Sequence, residues 1–297
     1  MPERLTKCPL CKSGLFLNHL EVVDHAVSKE TFILCKCTNC HVQFTNPRPS
    51  MEEIGPYYSF PEYYSHEDKA KTITQWIYQQ VRSYSISKKV AFLKSLKKKG
   101  KLLDYGCGTG EFLAAAKKKG WKIAGIEPSE KARAQANQKL ENRVVATIDE
   151  LDKETTFDII TLYHVLEHIH ELRKTTKKIL NHLKSTGYLI IAVPNPESWD
   201  AGHYGKFWAA WDVPRHLYHF NSESMYRFKD EFGLELREIK PMKFDSFYVS
   251  LLSEGYKNNG ISMIGKYWQG FMKGLKSNRS AKTPGNHSSN IYIFQKK

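Results

Sequence analysis

Residues 102–113 read Leu-Leu-Asp-Tyr-Gly-Cys-Gly-Thr-Gly-Glu-Phe-Leu, an apolar strand that runs into three alternate glycines and then a helix. Glycines let the backbone approach a ligand closely and admit positive φ. The helix start offers free N–H groups. The spacing is Gly-x-Gly-x-Gly, not the G-x-G-x-x-G of dinucleotide-binding turns. Asp104 closes the strand. A carboxylate there repels a pyrophosphate and suits a cationic amino-acid moiety. The turn opens a βα alternation. Strands are expected at 101–104, 122–127, 158–162, 188–193 and 291–294, and helices at 111–119, 129–139 and 170–184. Alternating strands and helices predict an α/β fold with a parallel sheet covered on both faces.

Upstream, five of the six cysteines fall in the first 40 residues. Cys8-x-x-Cys11 and Cys37-x-x-Cys40 form two knuckles whose spacing predicts a zinc ribbon. Two knuckles supply four thiolates, which closes a tetrahedron, so the expected Zn²⁺ is structural. Residues 21–23 and 32–34 are β-rich and predict a hairpin between the knuckles. Cys35 is a spare cysteine and His41 another possible ligand. The N-terminus has no signal-type apolar stretch, and no apolar run of about 18 residues occurs. The expected location is the cytoplasm, where clustered cysteines favour a metal over disulfides.

The chain divides into a ribbon over 1–46, a tyrosine-rich linker with a helical lead-in over 47–98, and an α/β domain over 99–297. Within that domain lie an aromatic insertion at 197–220 and a basic C-terminal subdomain at 244–290. A 41% hydrophobic content excludes a mainly disordered chain. The formal charge is +14, and eight Lys and Arg follow Glu254 with no further acidic residue. The triplets Lys97–Lys99 and Lys117–Lys119 read first as solvated helix ends and second as a polyanion-binding face. RNA is therefore the second choice of partner. A membrane-surface helix over 244–275 is a weaker reading, because Gly255, Gly260, Gly265, Gly270 and Gly274 interrupt it and favour a capping subdomain. Oligomeric state is not written in the sequence.

Asp104 to Gly110 resembles the first motif of the class I S-adenosylmethionine-dependent methyltransferases, D-x-G-C-G-x-G after a hydrophobic strand. The resemblance implies a Rossmann-like, doubly wound, mostly parallel seven-stranded sheet and S-adenosylmethionine (SAM) as cofactor. It implies that Asp104, Gly106, Cys107, Gly108, Gly110 and Phe112 form the cofactor loop. The family's second acidic residue, which holds the ribose hydroxyls, falls on Glu127, followed by Pro128. Asp149 occupies the place of the acidic residue against the adenine amino group. The fourth strand runs into Tyr163-His164-Val165-Leu166-Glu167-His168, similar to the "VLEH" stretch of the small-molecule branch, and puts Tyr163 and His164 near the cofactor.

Absences narrow the acceptor. No N-P-P-Y type motif follows the fourth strand, and no Pro-Cys nucleophile is present. Adenine and glutamine amino methylation and cytosine C5 methylation are disfavoured. From Trp199 to Phe220 there are seven aromatics and three histidines. Residues 211–220 resemble a segment of zinc-containing sugar C-methyltransferases, whose E-H-L-x-Y-F bears a catalytic histidine. The resemblance makes His216 the general base, with Arg215 in place of the glutamate. His168 and Tyr63 are further catalytic candidates. Arg215 is a candidate ligand for a substrate phosphate or carboxylate. Trp208, Trp211, Tyr58 and Tyr64 are candidate substrate contacts. The expected activity is methyl transfer to a small or lipid-linked metabolite, such as an activated sugar or cell-envelope precursor. The alternatives are an RNA methyltransferase and a non-catalytic SAM-binding adaptor.

Overall fold

The computed structural model describes residues 2–58, 73–258, 260 and 262–297. The N-terminal strands are β1 (Phe16–Val23), β2 (Thr31–Cys37) and β3 (Gln43–Thr45). Helix α1 (Ile73–Leu96) leads into β4 (Lys101–Tyr105), α2 (Glu111–Lys118), β5 (Lys122–Ile126), α3 (Glu130–Leu140) and β6 (Val144–Val145). Next come β7 (Phe157–Tyr163), α4 (Leu172–Asn181), β8 (Leu183–Pro194), α5 (Trp199–Tyr204), β9 (Tyr218–His219) and α6 (Ser222–Glu231). The chain ends with β10 (Leu234–Pro241), α7 (Asp245–Lys257), α8 (Met263–Ser280) and β11 (Ser289–Lys296).

Among the described residues, seven strands form one sheet in the order β10-β11-β8-β7-β4-β5-β6. The pairs β4–β5, β4–β7, β5–β6 and β7–β8 are parallel, and β11 runs antiparallel between β8 and β10. This is the mostly parallel, Rossmann-like sheet that the resemblance implies. Fully buried Leu102, Leu103, Ile159, Ile160 and Ile190 fill its centre, as expected of strands covered on both faces. The strand order reverses at β4, and ligands of open α/β sheets bind beyond the strand ends at such a reversal. The glycine turn follows β4 at that point. Gly110 has φ +80°, and a Cβ there would lie 2.8 Å from Leu140 Cδ1, so glycine lets α2 and α3 close over the turn. The first lysine triplet is not wholly solvated. Lys97 Nζ lies 2.6 Å and Lys184 Nζ 2.8 Å from Asp158 Oδ1.

The second sheet has the order β1-β2-β3-β9. Its fourth strand comes from the aromatic insertion, with Phe44 opposite Tyr218 and Gln43 opposite His219. The insertion is therefore stitched to the ribbon. Tyr204, Trp208 and Trp211 pack with Val22, Leu34 and Val249 in one buried cluster. Trp208 is 1% exposed and its Nε1 donates to Asp200 at 2.8 Å. Trp211 is also buried and donates to the Gly205 carbonyl at 2.8 Å. Both indoles, expected to contact substrate, are instead core residues with satisfied N–H groups.

The C-terminal glycines do not interrupt α8. Gly270 and Gly274 face α7, where a Cβ would come within 2.7 Å of Leu251 Cα and Phe247 Cα respectively. They allow two helices to pack backbone to backbone. Among the described residues no helix is long and apolar enough to cross a membrane.

Candidate functional site

The first half of the candidate site is built on the ends of β4, β5 and β7. Asp104 is buried, and Thr161 Oγ1 donates to its Oδ1 at 2.6 Å. Burial pushes the Asp104 carboxyl up to about 6, against the pull of the Thr161 hydrogen bond and of Lys89, and Glu127 adds to the rise. Lys89 of α1 places its Nζ 3.8 Å from the centroid of the Tyr163 ring. The Gly108 N–H donates to Glu127 Oε2 at 2.8 Å and Ser129 N–H to Oε1 at 2.9 Å. Each oxygen keeps a lone pair for a further donor. Gly108 has φ +55° with open space where a side chain would project. Gly106, at φ +75°, would press a Cβ to 2.4 Å from Val165 Cγ2. Phe112 stands edge-on to Tyr163 at 5.7 Å, and the buried Tyr163 hydroxyl has no hydrogen-bond partner among the described residues. Cys107 is buried, and burial foremost pushes its thiol pKa up, so it is a packing residue of the loop, not a nucleophile. A buried carboxylate, a second carboxylate held by the loop, and an open glycine cradle fit a ligand with a cationic amino group and vicinal hydroxyls.

Asp149 and Pro128 lie at the rim. Pro128 is exposed. Asp149 is exposed and pairs with Lys178 at 2.6 Å.

The second half of the site joins the turn after β7 to the insertion. Glu167 and His168 lie in a short 3-10 turn, and His216 lies just before β9. The His168 and His216 rings meet edge to face at 4.7 Å. His216 Nδ1 lies 2.9 Å from the Ala210 carbonyl oxygen, and His168 Nδ1 2.9 Å from that of Arg215. A carbonyl only accepts, so each Nδ1 carries a proton, and Nε2 is the nitrogen left to take up or give one. The Tyr58 hydroxyl is 3.0 Å from His168 Nδ1, which brings this one linker tyrosine to the same place. Burial foremost, and then His216, push His168 down to about 4, so it is neutral near pH 7.

Glu167 is fully buried, with a carboxylate oxygen within 4.8 Å of a ring nitrogen of each histidine. No hydrogen bond of good geometry reaches either carboxylate oxygen among the described residues, although His164 Nδ1 is 3.4 Å from Oε1. His164 Nε2 is 2.9 Å from Asp245 Oδ2 of α7. Burial works against its charge, but Asp245 and Glu167 outweigh it and push His164 up to about 10.

Arg215 does not face a substrate. It is 1% exposed. Its Nε and Nη2 donate to Asp212 at 3.1 and 2.7 Å, Nη2 also to Asp24 at 3.0 Å, and Nη1 to the Tyr57 carbonyl at 3.0 Å. The fork expected for a substrate anion is taken by two carboxylates of the protein itself. Asp24 is held by the loop after β1, accepting from the N–H groups of Ala26, Val27 and Ser28 at 3.1, 3.1 and 2.9 Å. Thr45 of β3 donates its hydroxyl to the His216 carbonyl at 3.1 Å. The ribbon thus grips the residues on either side of His216. Tyr63 and Tyr64 lie outside the described residues. Glu167, Asp24, Asp212 and Asp245 carry no role in the sequence reading. Only Glu167 has a visible signal, its place beside His168.

Two groups suit a metal ion. Cys8, Cys11, Cys37 and Cys40 bring their sulfurs within 4.8 Å of one another. Cys8 and Cys40 are 3.5 Å apart and Cys11 and Cys37 3.6 Å. A tetrahedral site with Zn–S bonds of roughly 2.3 Å spaces its sulfurs about 3.8 Å apart, so the donor set fits. Asn39 Nδ2 donates to Cys11 Sγ at 3.5 Å, a support for the thiolate. Cys35 turns to Asn18 and His41 to Glu223, so neither competes. Glu167, His168 and His216 likewise bring ligand atoms within 4.8 Å.

Comparisons with known proteins bear on the same region. The sequence model of a family described as a methyltransferase domain matches residues 78–239. A ubiquinone biosynthesis O-methyltransferase of Rickettsia typhi is 23% identical over 158 residues, covering 48% of this chain and 63% of that protein. A Geobacillus protein described as a methyltransferase is 33% identical over 116 residues, covering 34% of this chain and 47% of its own. Among solved structures, a magnesium protoporphyrin IX methyltransferase from Synechocystis with bound SAH superposes at a TM-score of 0.49 with 14% identity. That match covers 77% of this chain and 90% of the other.

Proposed function

The chain belongs to the methyltransferase-domain family, and we propose that it transfers the methyl group of SAM to a small or lipid-linked acceptor, with His216 as the proton acceptor. SAM supplies a sulfonium methyl for in-line displacement. Asp104 takes the cationic amino group, Glu127 the ribose hydroxyls, and the Gly106–Gly110 turn the close backbone approach. Asp149 is the candidate contact to the adenine amino group from the rim. The zinc ribbon is a structural Zn²⁺ site.

The observation that carries the acceptor chemistry is the fixed tautomer of His216. Its Nδ1–H is committed to the Ala210 carbonyl at 2.9 Å, which leaves Nε2 to accept a proton from a hydroxyl or acidic C–H. Asp212 Oδ2, 3.9 Å from Nε2, and buried Glu167 favour the imidazolium once it forms. His168, kept neutral, adds no opposing charge. Tyr58 lies beside the His168 ring and is suited to hold the acceptor.

A second reading is favoured by one observation. A buried Glu167 carboxylate with an imidazole nitrogen of each of His168 and His216 within 4.8 Å also suits a divalent cation, which would lower the acceptor's pKa in place of a base. Metal analysis of protein prepared from the natural chain and from Glu167→Gln separates the two. A second ion beyond that of the four cysteines, lost in the variant, favours the cation.

The acceptor class is tested with methyl-labelled SAM and a cell extract split by class. Label in the small-molecule or lipid fraction is expected. Label in RNA that disappears on ribonuclease treatment contradicts the acceptor class. Cofactor binding with label in no fraction contradicts catalysis and leaves an adaptor.

A further inference from the structure

His164 takes no part in the reaction proposed above, yet its backbone is held in an uncommon conformation. Its φ is +57°, in the left-handed region that residues other than glycine seldom enter. Such a residue persists only where its surroundings impose the conformation. Here the chain is pinned on both sides. The His164 N–H donates to the Ala192 carbonyl of β8 at 3.0 Å. The Val165 side chain fills the space that a Cβ on Gly106 would need. From this turn the imidazole reaches two carboxylates. Nε2 is 2.9 Å from Asp245 Oδ2 and Nδ1 3.4 Å from Glu167 Oε1. A carboxylate only accepts, so each ring nitrogen presents a proton to its partner.

The two carboxylates belong to different parts of the molecule. Asp245 lies in the first turn of α7, and the preceding Phe244 stands edge-on to Tyr84 of α1 at 5.7 Å. Glu167 is fully buried, and no hydrogen bond of good geometry reaches either of its oxygens among the described residues. A buried carboxylate without a partner is costly. The Glu167 backbone is tied to the other side of the site, since the Leu217 N–H donates to its carbonyl at 2.8 Å. Leu217 is the residue after His216. His164 is thus the side chain that links the buried carboxylate to α7.

We propose that His164 is a positioning residue: braced by Asp245 of α7, it holds the Glu167 carboxylate in place beside His216. The inference rests on His216 as the proton acceptor. An imidazolium that forms on His216 then meets a negative charge already in place, with no reorganisation at the moment of reaction. The test uses the full chain, saturating methyl-labelled SAM and the extract fraction that accepts label. Asparagine tolerates the left-handed backbone but is too short to span both carboxylates, so His164→Asn removes the bridge and keeps the turn. The expected result is a melting midpoint no lower than that of the natural chain, an unchanged SAM dissociation constant, and turnover slowed about 10–100-fold, the usual loss when a partner that orients a reacting group is removed. Asp245→Ala, which breaks the bridge from α7 without touching the strand end, slows turnover in the same way. In the Glu167→Gln background His164→Asn adds no further loss, because the two side chains act as one unit. Natural turnover by His164→Asn overturns the proposal, as do losses that multiply in the double variant. A loss that appears as weakened SAM binding also overturns it, since it assigns His164 to the cofactor. Undiminished turnover by His216→Asn overturns the base reading and the proposal with it. Natural turnover by His164→Asn beside an inactive His216→Asn strikes the positioning role alone.

Discussion

Asp104 shows how one side chain links burial to binding. Its carboxyl is pushed up to about 6, chiefly by burial, while the Thr161 hydrogen bond at 2.6 Å and Lys89 hold the rise in check. In the proposed role the charged form binds a cationic amino group, so a proton competes with the cofactor. SAM affinity is expected to be flat above that pKa and to fall as pH drops through it, by up to about tenfold per pH unit for one competing proton. Calorimetric titration between mildly acidic and neutral pH checks this. Asp104→Asn should weaken binding by about 1.5–3 kcal/mol, the worth of a hydrogen bond to a charged group, and should flatten the pH dependence. An unchanged dissociation constant in that variant contradicts the assignment. Asp104 was legible because a strand, an acidic residue and three glycines occur within nine residues. Arg215 was not legible in the same way. Its residue type suggests an anion, but its anions are Asp212, three residues before it, and Asp24, 191 residues distant in sequence and brought close only by the fold.

Element by element, apolar runs announced β4, β5 and β7 within a residue or so, because strands buried on both faces are nearly all hydrophobic, whereas the two-residue parallel strand β6 was too short to read. The β8 strand proved longer, Leu183–Pro194, since buried Leu183 is followed by polar Lys184, Ser185 and Thr186, which interrupt the apolar run. The β10 strand was not read at all. Its Leu-Glu-Leu-Arg-Glu-Ile pattern is broken by an irregular register between Leu236 and Glu238, so its alternation fails halfway. Helix α8 misled for another reason. Its glycines look like breaks, yet two of them are contacts. A Cβ at Gly274 would lie 2.7 Å from Phe247 Cα and 2.9 Å from its N. Gly274→Val should therefore force the helices apart and cost about 1–3 kcal/mol, as overpacking does. A urea or thermal midpoint reads this directly. An unaltered midpoint would mean that α7 and α8 do not touch there.

The molecule as a whole couples two modules that the sequence presents as separate. The four-stranded sheet is complete only with β9, and β9 begins two residues after His216. Asp24, Thr45 and Tyr57 all hold the segment that carries the histidine. The buried cluster of Val22, Leu34, Trp208 and Trp211 closes the same junction. The ribbon thus clamps the His216 segment, and under the proposed function that segment is the acceptor half of the site and the α/β sheet supplies the cofactor half. The measurement that tests this division most directly compares His216→Asn with the natural chain in two assays, SAM affinity by calorimetry and the rate of label transfer into the extract fraction that accepts it. The account predicts an unchanged affinity with transfer slowed about 10²–10⁴-fold, the usual contribution of a positioned base. Undiminished transfer by His216→Asn would contradict it.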